Sequence, residues 1–160
     1  QGPTALRILD AEGAERVLRW QRSTYQANVQ AVHHGLTGMP PDYPESRVHI
    51  SPYSRAISYA WEVLEKIRSE GWLAVVKEMP DGYPFYGPDD MDPVPKIHRR
   101  AYVHFQWIPC RDQDETRKYI WVHPHGGFGD SSAEAICRAA LEVRKAEADW
   151  EERQTRREEP

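Results

Sequence analysis

The stretch HPHGGFGDSSAEAICRAAL, residues 123–141, decides how this chain reads. His123 closes a run of alternating residues, Gly126, Gly127 and Gly129 interrupt it, and Ser131-Ser132-Ala133-Glu134 has the form of a capping box. In such a box the serine hydroxyl and the glutamate carboxylate satisfy backbone N–H groups that the first turn of a helix leaves without partners. Beyond it Ala133, Ile136, Cys137, Ala140 and Val143 recur at helical spacing, and their small size lets a helix lie close on a sheet. The stretch therefore predicts strand, glycine loop and helix. From Arg144 to Arg157 the composition turns charge-dense, with Asp149/Arg153 and Glu152/Arg156 as i,i+4 pairs, so residues 146–160 read as a charged helical extension or tail.

Working backward, Lys118 to His123 and Arg100 to Ile108 both alternate, which predicts two strands joined as an antiparallel hairpin across Pro109 to Arg117. Trp72 to Glu78 is short and β-branched, a third strand. Between the first two strands in chain order lies Met79 to Ile97, with prolines at 80, 84, 88, 93 and 95, a loop long enough to be functional. Upstream, Ile57, Ala60, Trp61, Leu64 and Ile67 make a helical stripe, with Ser51-Pro52 as its expected start and Gly71 as its expected stop. Asp10 is expected to cap a first helix over Ala11 to Ala31, and the Gly- and Pro-rich stretch from His33 to His49 reads as an ordered connection. The class is α/β in the α+β sense: a small, mainly antiparallel sheet of three or more strands sandwiched by helices.

The 160 residues, 39% of them hydrophobic, suffice for one core, expected over residues 4–145, while Gln1-Gly2-Pro3 reads as a tag remnant. A formal charge of −4 argues against nucleic acid as the partner, and no apolar run approaches the ~20 residues of a membrane helix. Cys110 and Cys137 fit neither a disulfide framework nor a paired-cysteine zinc site, so a reducing cytoplasm is expected, and no cofactor motif is present.

Two segments carry a resemblance. Pro52-Tyr53-Ser54 leading into Ala60-Trp61-Glu62-Val63, Glu65-Lys66 and Gly71-Trp72, together with the run from Ala133 to Leu141, is similar to the phage ABA-sandwich domain family. The likeness covers roughly residues 52–145 and implies a phage or prophage origin and a small sheet between helices. The long 79–97 loop and the histidine-rich turn at 123–125 depart from the family, which carries over no catalytic residue.

Three candidate features remain. Gly126, Gly127, Phe128, Gly129 and Ser131 either cradle an anion on backbone N–H groups at a helix N-terminus or simply make a tight strand-to-helix passage, and Asp130 competes for the same donors. Strand parity places Ala101, Val103, Phe105 and Trp107 on one sheet face and Tyr102, His104, Gln106, Tyr119, Trp121 and His123 on the other. That second face is aromatic with polar tips, suited to stacking a base unless the first helix covers it. His98-Arg99-Arg100 concentrates positive charge beside it. His104, His123 and His125 would form a zinc-like triad only if the strand continued through Pro124, and no metal is assigned. No nucleophile motif occurs.

The expected function is therefore binding without turnover. A phage-encoded protein would sequester an anionic, nucleotide-like small molecule, a host defence signal, using His98, Arg99, Arg100, Tyr102, His104, Trp121, His123, His125 and the glycine loop. The alternatives are an inhibitor or accessory module that binds a host protein through its aromatic surface, and a histidine-metal hydrolase. Six tryptophans and eight tyrosines exceed what one small core hides, so a homo-oligomer is expected.

Overall fold

A computed structural model describes residues 5–22, 37–78, 85–86, 93–94, 101–107 and 126–158. Its principal sheet has the order β4-β7-β8, from β4 (Trp72–Glu78), β7 (Ala101–Trp107) and β8 (Gly127–Gly129), antiparallel throughout. All seven residues of β4 pair with β7, from Trp72 opposite Trp107 to Glu78 opposite Ala101; β4 has the bounds expected for it, and β7 lies within the expected Arg100 to Ile108, whose end residues are outside the described ones. The chain is thus a mixed α+β protein on an antiparallel sheet. The strand expected over Lys118 to His123 lies outside the described residues.

Two helices pack on this sheet. The first, α2 (Ile57–Ser69, the second in chain order), buries Ala60, Val63, Leu64 and Ile67, lies against β4 and ends at Gly71, whose φ of 105° needs a residue without a Cβ. The second, α3 (Ser132–Glu158), crosses β7 and β8 and packs along α2. The expected small-residue stripe is buried, and so are Ala135 and Ala139 on a second flank. Trp72, Val103, Phe105, Ile136 and Val143 join these helices in one core.

Three sequence expectations need correction. The first helix, α1 (Ala5–Glu12), starts before Asp10 and continues as a π-helical turn over Gly13–Val17, then stops at Arg19, which has a φ of 64°. Asp10 caps nothing. It is buried within α1, where its carboxylate accepts the Ser54 N–H and hydroxyl, both at 2.6 Å, and the Arg55 Nε–H at 3.2 Å. That contact explains the second correction: α2 starts at Ile57, not at Pro52, because Pro52 opens a turn whose carbonyl accepts the Arg55 and Ala56 N–H groups. Third, the connection from His33 to His49 contains β2 (Thr37–Met39) and β3 (Val48–His49), which build a second small antiparallel sheet with β1 (Gln21–Arg22). Within the long 79–97 loop, β5 (Phe85–Tyr86) pairs with β6 (Pro93–Val94).

The charge-dense stretch that begins at Arg144, midway along α3, is not wholly solvated. Arg144 is buried and donates to both oxygens of Glu70, at 2.6 and 2.8 Å, and to the Arg16 and Val17 carbonyls at 3.0 and 3.4 Å. One guanidinium thereby ties α3 to the end of α2 and to the open carbonyls of the π-helical turn, a fork geometry that only arginine supplies.

Candidate functional site

The glycine segment is strand, and packing dictates its composition. A Cβ on Gly127 would sit 2.4 Å from the Ala135 carbonyl oxygen and 2.4 Å from the Ala139 nitrogen; on Gly129 it would meet the Ala135 nitrogen at 2.7 Å. Gly126 is equally tight against β7, with the Val103 carbonyl oxygen at 2.3 Å. Real contacts of this kind begin beyond 3.0 Å, so α3 can approach β8 only because these side chains are absent. The tight-passage reading accounts for the glycines in full.

Tyr102 and His104 share the sheet face that parity gave them, but they are 2% and 5% exposed, so they present no open stacking platform. Their cover is in part local: Phe128 lies 4.5 Å from Tyr102, centroid to centroid, and His104 lies 5.5 Å from it. Among the described residues, α1 packs on the π-helical turn and on α3. His98, Arg99, Arg100, Trp121, His123 and His125 lie outside the described residues. Among the described residues, no group of three histidine, cysteine or acidic side chains is placed to hold a metal.

Two clefts of about 480 Å³ each flank the α3–β8 contact. One lies between α1 and α3 at the β8 edge, lined by Leu9, Glu12, Gly127, Phe128, Arg138 and Glu142. Among the described residues its cation is Arg138, paired with Glu134 at 3.3 Å, and Glu12 and Glu142 add negative charge without a helix N-terminus to offset it. The other sits at the N-terminus of α3, lined by Arg55, Glu78, Ala101, Asp130, Ser131 and Ser132. Here the capping box operates through Ser131, whose hydroxyl accepts the Glu134 N–H at 3.2 Å, while Ser132 donates to Glu78. Arg55 reaches this cleft from the α2 turn, oriented by its 3.2 Å pair with Asp10. Ala101, which lines this cleft, directly follows His98-Arg99-Arg100 in sequence.

The second cleft combines opposite charges. Arg55 and the partial positive charge at the start of the 27-residue α3 favour a phosphate-like group. Glu78 and Asp130 accept hydrogen bonds from hydroxyl or amino groups. A bare anion meets repulsion here, whereas a molecule that carries both an anionic group and donors finds partners for each. Arg55 and Glu78 escaped sequence reading because they lie on a turn and at a strand end far from the glycine loop in sequence. Only the Asp10 contact and the β4–β7 register bring them together.

No described side chain is set up as a nucleophile. Burial pushes the Cys137 thiol well above its ordinary range, and the Asp10 charge adds to the effect. Burial likewise carries the Tyr53 phenol up to about 12, against a lowering hydrogen bond with Ser51.

Comparisons with known proteins agree with the fold. The chain is similar to a phage protein from Bacillus cereus ATCC 14579, known from a 2.0 Å crystal structure, with a TM-score of 0.51 and 16% identity over 91% of this chain and 92% of that one. No family model matches the sequence, and no curated protein matches it. At that identity the likeness shows that this chain shares its overall fold with a phage protein.

Proposed function

We propose that this chain is a phage-encoded binding protein of the ABA-sandwich kind that holds an anionic, nucleotide-like small molecule at the N-terminus of α3 without transforming it. The observation that carries the reading is the mixed-charge cleft of Arg55, Glu78, Asp130, Ser131 and Ser132. Its cationic end suits a phosphate, and its carboxylates suit ribose hydroxyls or a base amino group. The ligand contact thus moves from the glycines to Ser131 and Arg55, with His98, Arg99 and Arg100 next to it in sequence. Sequestration in a host cytoplasm fits a cleft without a described nucleophile. The family placement rests on the Tyr53-Ser54 and Ala135-Ile136-Cys137 motifs and on the fold shared with the Bacillus cereus phage protein.

Calorimetric titration with mono-, di- and cyclic nucleotides, with inorganic phosphate as control, tests the proposal. At least one nucleotide is expected to bind and to be recovered intact, phosphate is expected not to bind, and Arg55→Gln and Arg99→Glu are expected to weaken binding while far-ultraviolet circular dichroism stays unchanged. Silence across the whole panel, or full affinity in both variants, would overturn it.

A further inference from the structure

The cleft at the start of α3 holds a guanidinium and two carboxylates that do not pair with one another. Arg55, Glu78 and Asp130 all line it, yet among the described residues Arg55 makes no ion pair with Glu78 or Asp130. An arginine that shares a cleft with two carboxylates is drawn toward them. The group that holds Arg55 back is Asp10, which lies outside the cleft, on α1, and is 2% exposed. Its Oδ2 takes Arg55 along one side, from Nε and Nη2, both at 3.2 Å. Its Oδ1 accepts the Ser54 N–H and hydroxyl at 2.6 Å each, and that hydroxyl also stands 3.0 Å from the Leu6 carbonyl oxygen. One carboxylate thus grips the backbone of one residue and the side chain of the next, which fixes the guanidinium relative to its own turn.

We infer, resting on the reading of this cleft as a ligand site, that Asp10 is its positioning residue: from α1 it holds Arg55 away from Glu78 and Asp130 and keeps the cationic and anionic ends apart. Asp10 prevails over the other two carboxylates because it is buried, whereas Glu78 and Asp130 are exposed and their pull is screened by water. The Nη1 corner of Arg55, which makes no hydrogen bond among the described residues, remains for a phosphate oxygen. The charge of Asp10 by itself weakens the pull of Arg55 on an anion, so two effects of opposite sign compete. A released Arg55 would have to be recovered from Glu78 and Asp130 and re-ordered along its flexible stem before it met a phosphate. That loss is the larger, because the Asp10 charge is already met by two Ser54 donors as well as by Arg55. No residue of α1 lines the cleft, yet the helix belongs to the site through Asp10. Docking of α1 and occupation of the cleft are therefore linked, each favouring the other.

Calorimetric titration of Asp10→Asn with the panel of mono-, di- and cyclic nucleotides tests the inference, since asparagine keeps an acceptor for Ser54 but faces Arg55 without charge. Nucleotide affinity is expected to fall roughly tenfold in this variant at unchanged circular dichroism. Ser54→Ala removes a tie between the turn and α1 but leaves the Arg55 pair, and as the structural control it is expected to stay within about twofold of the parent. In an Arg55→Gln background, Asp10→Asn is expected to change affinity no further. Nuclear magnetic resonance gives a readout without nucleotide: the Arg55 Nε–H of the parent is expected to exchange slowly, a signal that Asp10→Asn loses and Ser54→Ala keeps. Equal or tighter nucleotide binding by Asp10→Asn, an equal loss in Ser54→Ala, a further loss in the Arg55→Gln background, or an Arg55 signal indifferent to Asp10→Asn would each overturn the positioning role while the cleft stands as a ligand site. A parent chain silent across the panel would overturn the reading of the cleft and this role with it.

Discussion

Replacing Gly127 with alanine separates packing from ligand binding in the segment that first suggested a site. The added Cβ would lie 2.4 Å from two backbone atoms of α3, the Ala135 carbonyl oxygen and the Ala139 nitrogen, and 2.8 Å from the Arg138 Cβ. Ordinary van der Waals contact begins near 3.4 Å, so α3 and β8 must part by about 1 Å. Neither backbone atom can swing aside as the end of a side chain would. Overpacking of a core typically costs about 1–3 kcal/mol, and a clash of this kind belongs at the upper end, about 3 kcal/mol. For a domain of this size that corresponds to a fall in Tm of about 6–12 °C. Gly13→Ala is the matched control: it sits in the π-helical turn with nothing within 4 Å, so alanine should leave stability unchanged or raise it by up to about 1 kcal/mol. Thermal melts followed by circular dichroism measure both. A Gly127→Ala protein that melts with the parent would refute the packing account of the glycines, and loss of ligand without loss of stability would restore the cradle.

Other perturbations probe the polar contacts that hold the helices. Asp10→Ala strips the Ser54 N–H of its acceptor and Arg55 of its partner, and urea titration should show a loss of about 3 kcal/mol. Burial pushes the Glu70 carboxyl up, but the hydrogen bond and charge of Arg144 outweigh it and hold the group below its ordinary value of 4.5. The stability drawn from that pair is therefore complete above pH 4.5 and is lost as pH falls through the lower folded value, so acid melts of Glu70→Gln should fall off less steeply there than those of the parent. At neutral pH the same variant should lose about 3 kcal/mol, since it breaks a mostly buried ion pair. In a Cys110→Ser background, Cys137 should resist alkylating reagents until the protein unfolds, and rapid labelling of the native state would contradict its burial in the core.

Much of this architecture follows from local patterns. β-Branched composition located β4 and period-two alternation the body of β7, the Ser131 box marked the start of α3, and Gly71 marked the end of α2, because each depends on contacts within a few residues. Small residues at helical spacing foretold a helix lying close on a sheet, although Ala135 and Ala139, which take the closest contact, fell outside the stripe read from sequence. Asp10 was misread for a physical reason. An aspartate ahead of an apolar stripe has the composition of a cap, and only the turn at Ser54 and Arg55, 44 and 45 residues away in sequence, makes it a buried acceptor inside a helix. Arg144 likewise reads as the first residue of a charged tail until Glu70, 74 residues away, folds beneath it. The sequence by itself determined β4, the body of β7, the end of α2 and the start of α3, since capping, periodicity and turn chemistry are local. The tertiary structure decided which polar groups became partners and where a cleft opened, because burial and ion pairing depend on segments that meet only when the sheet and its helices close on one core.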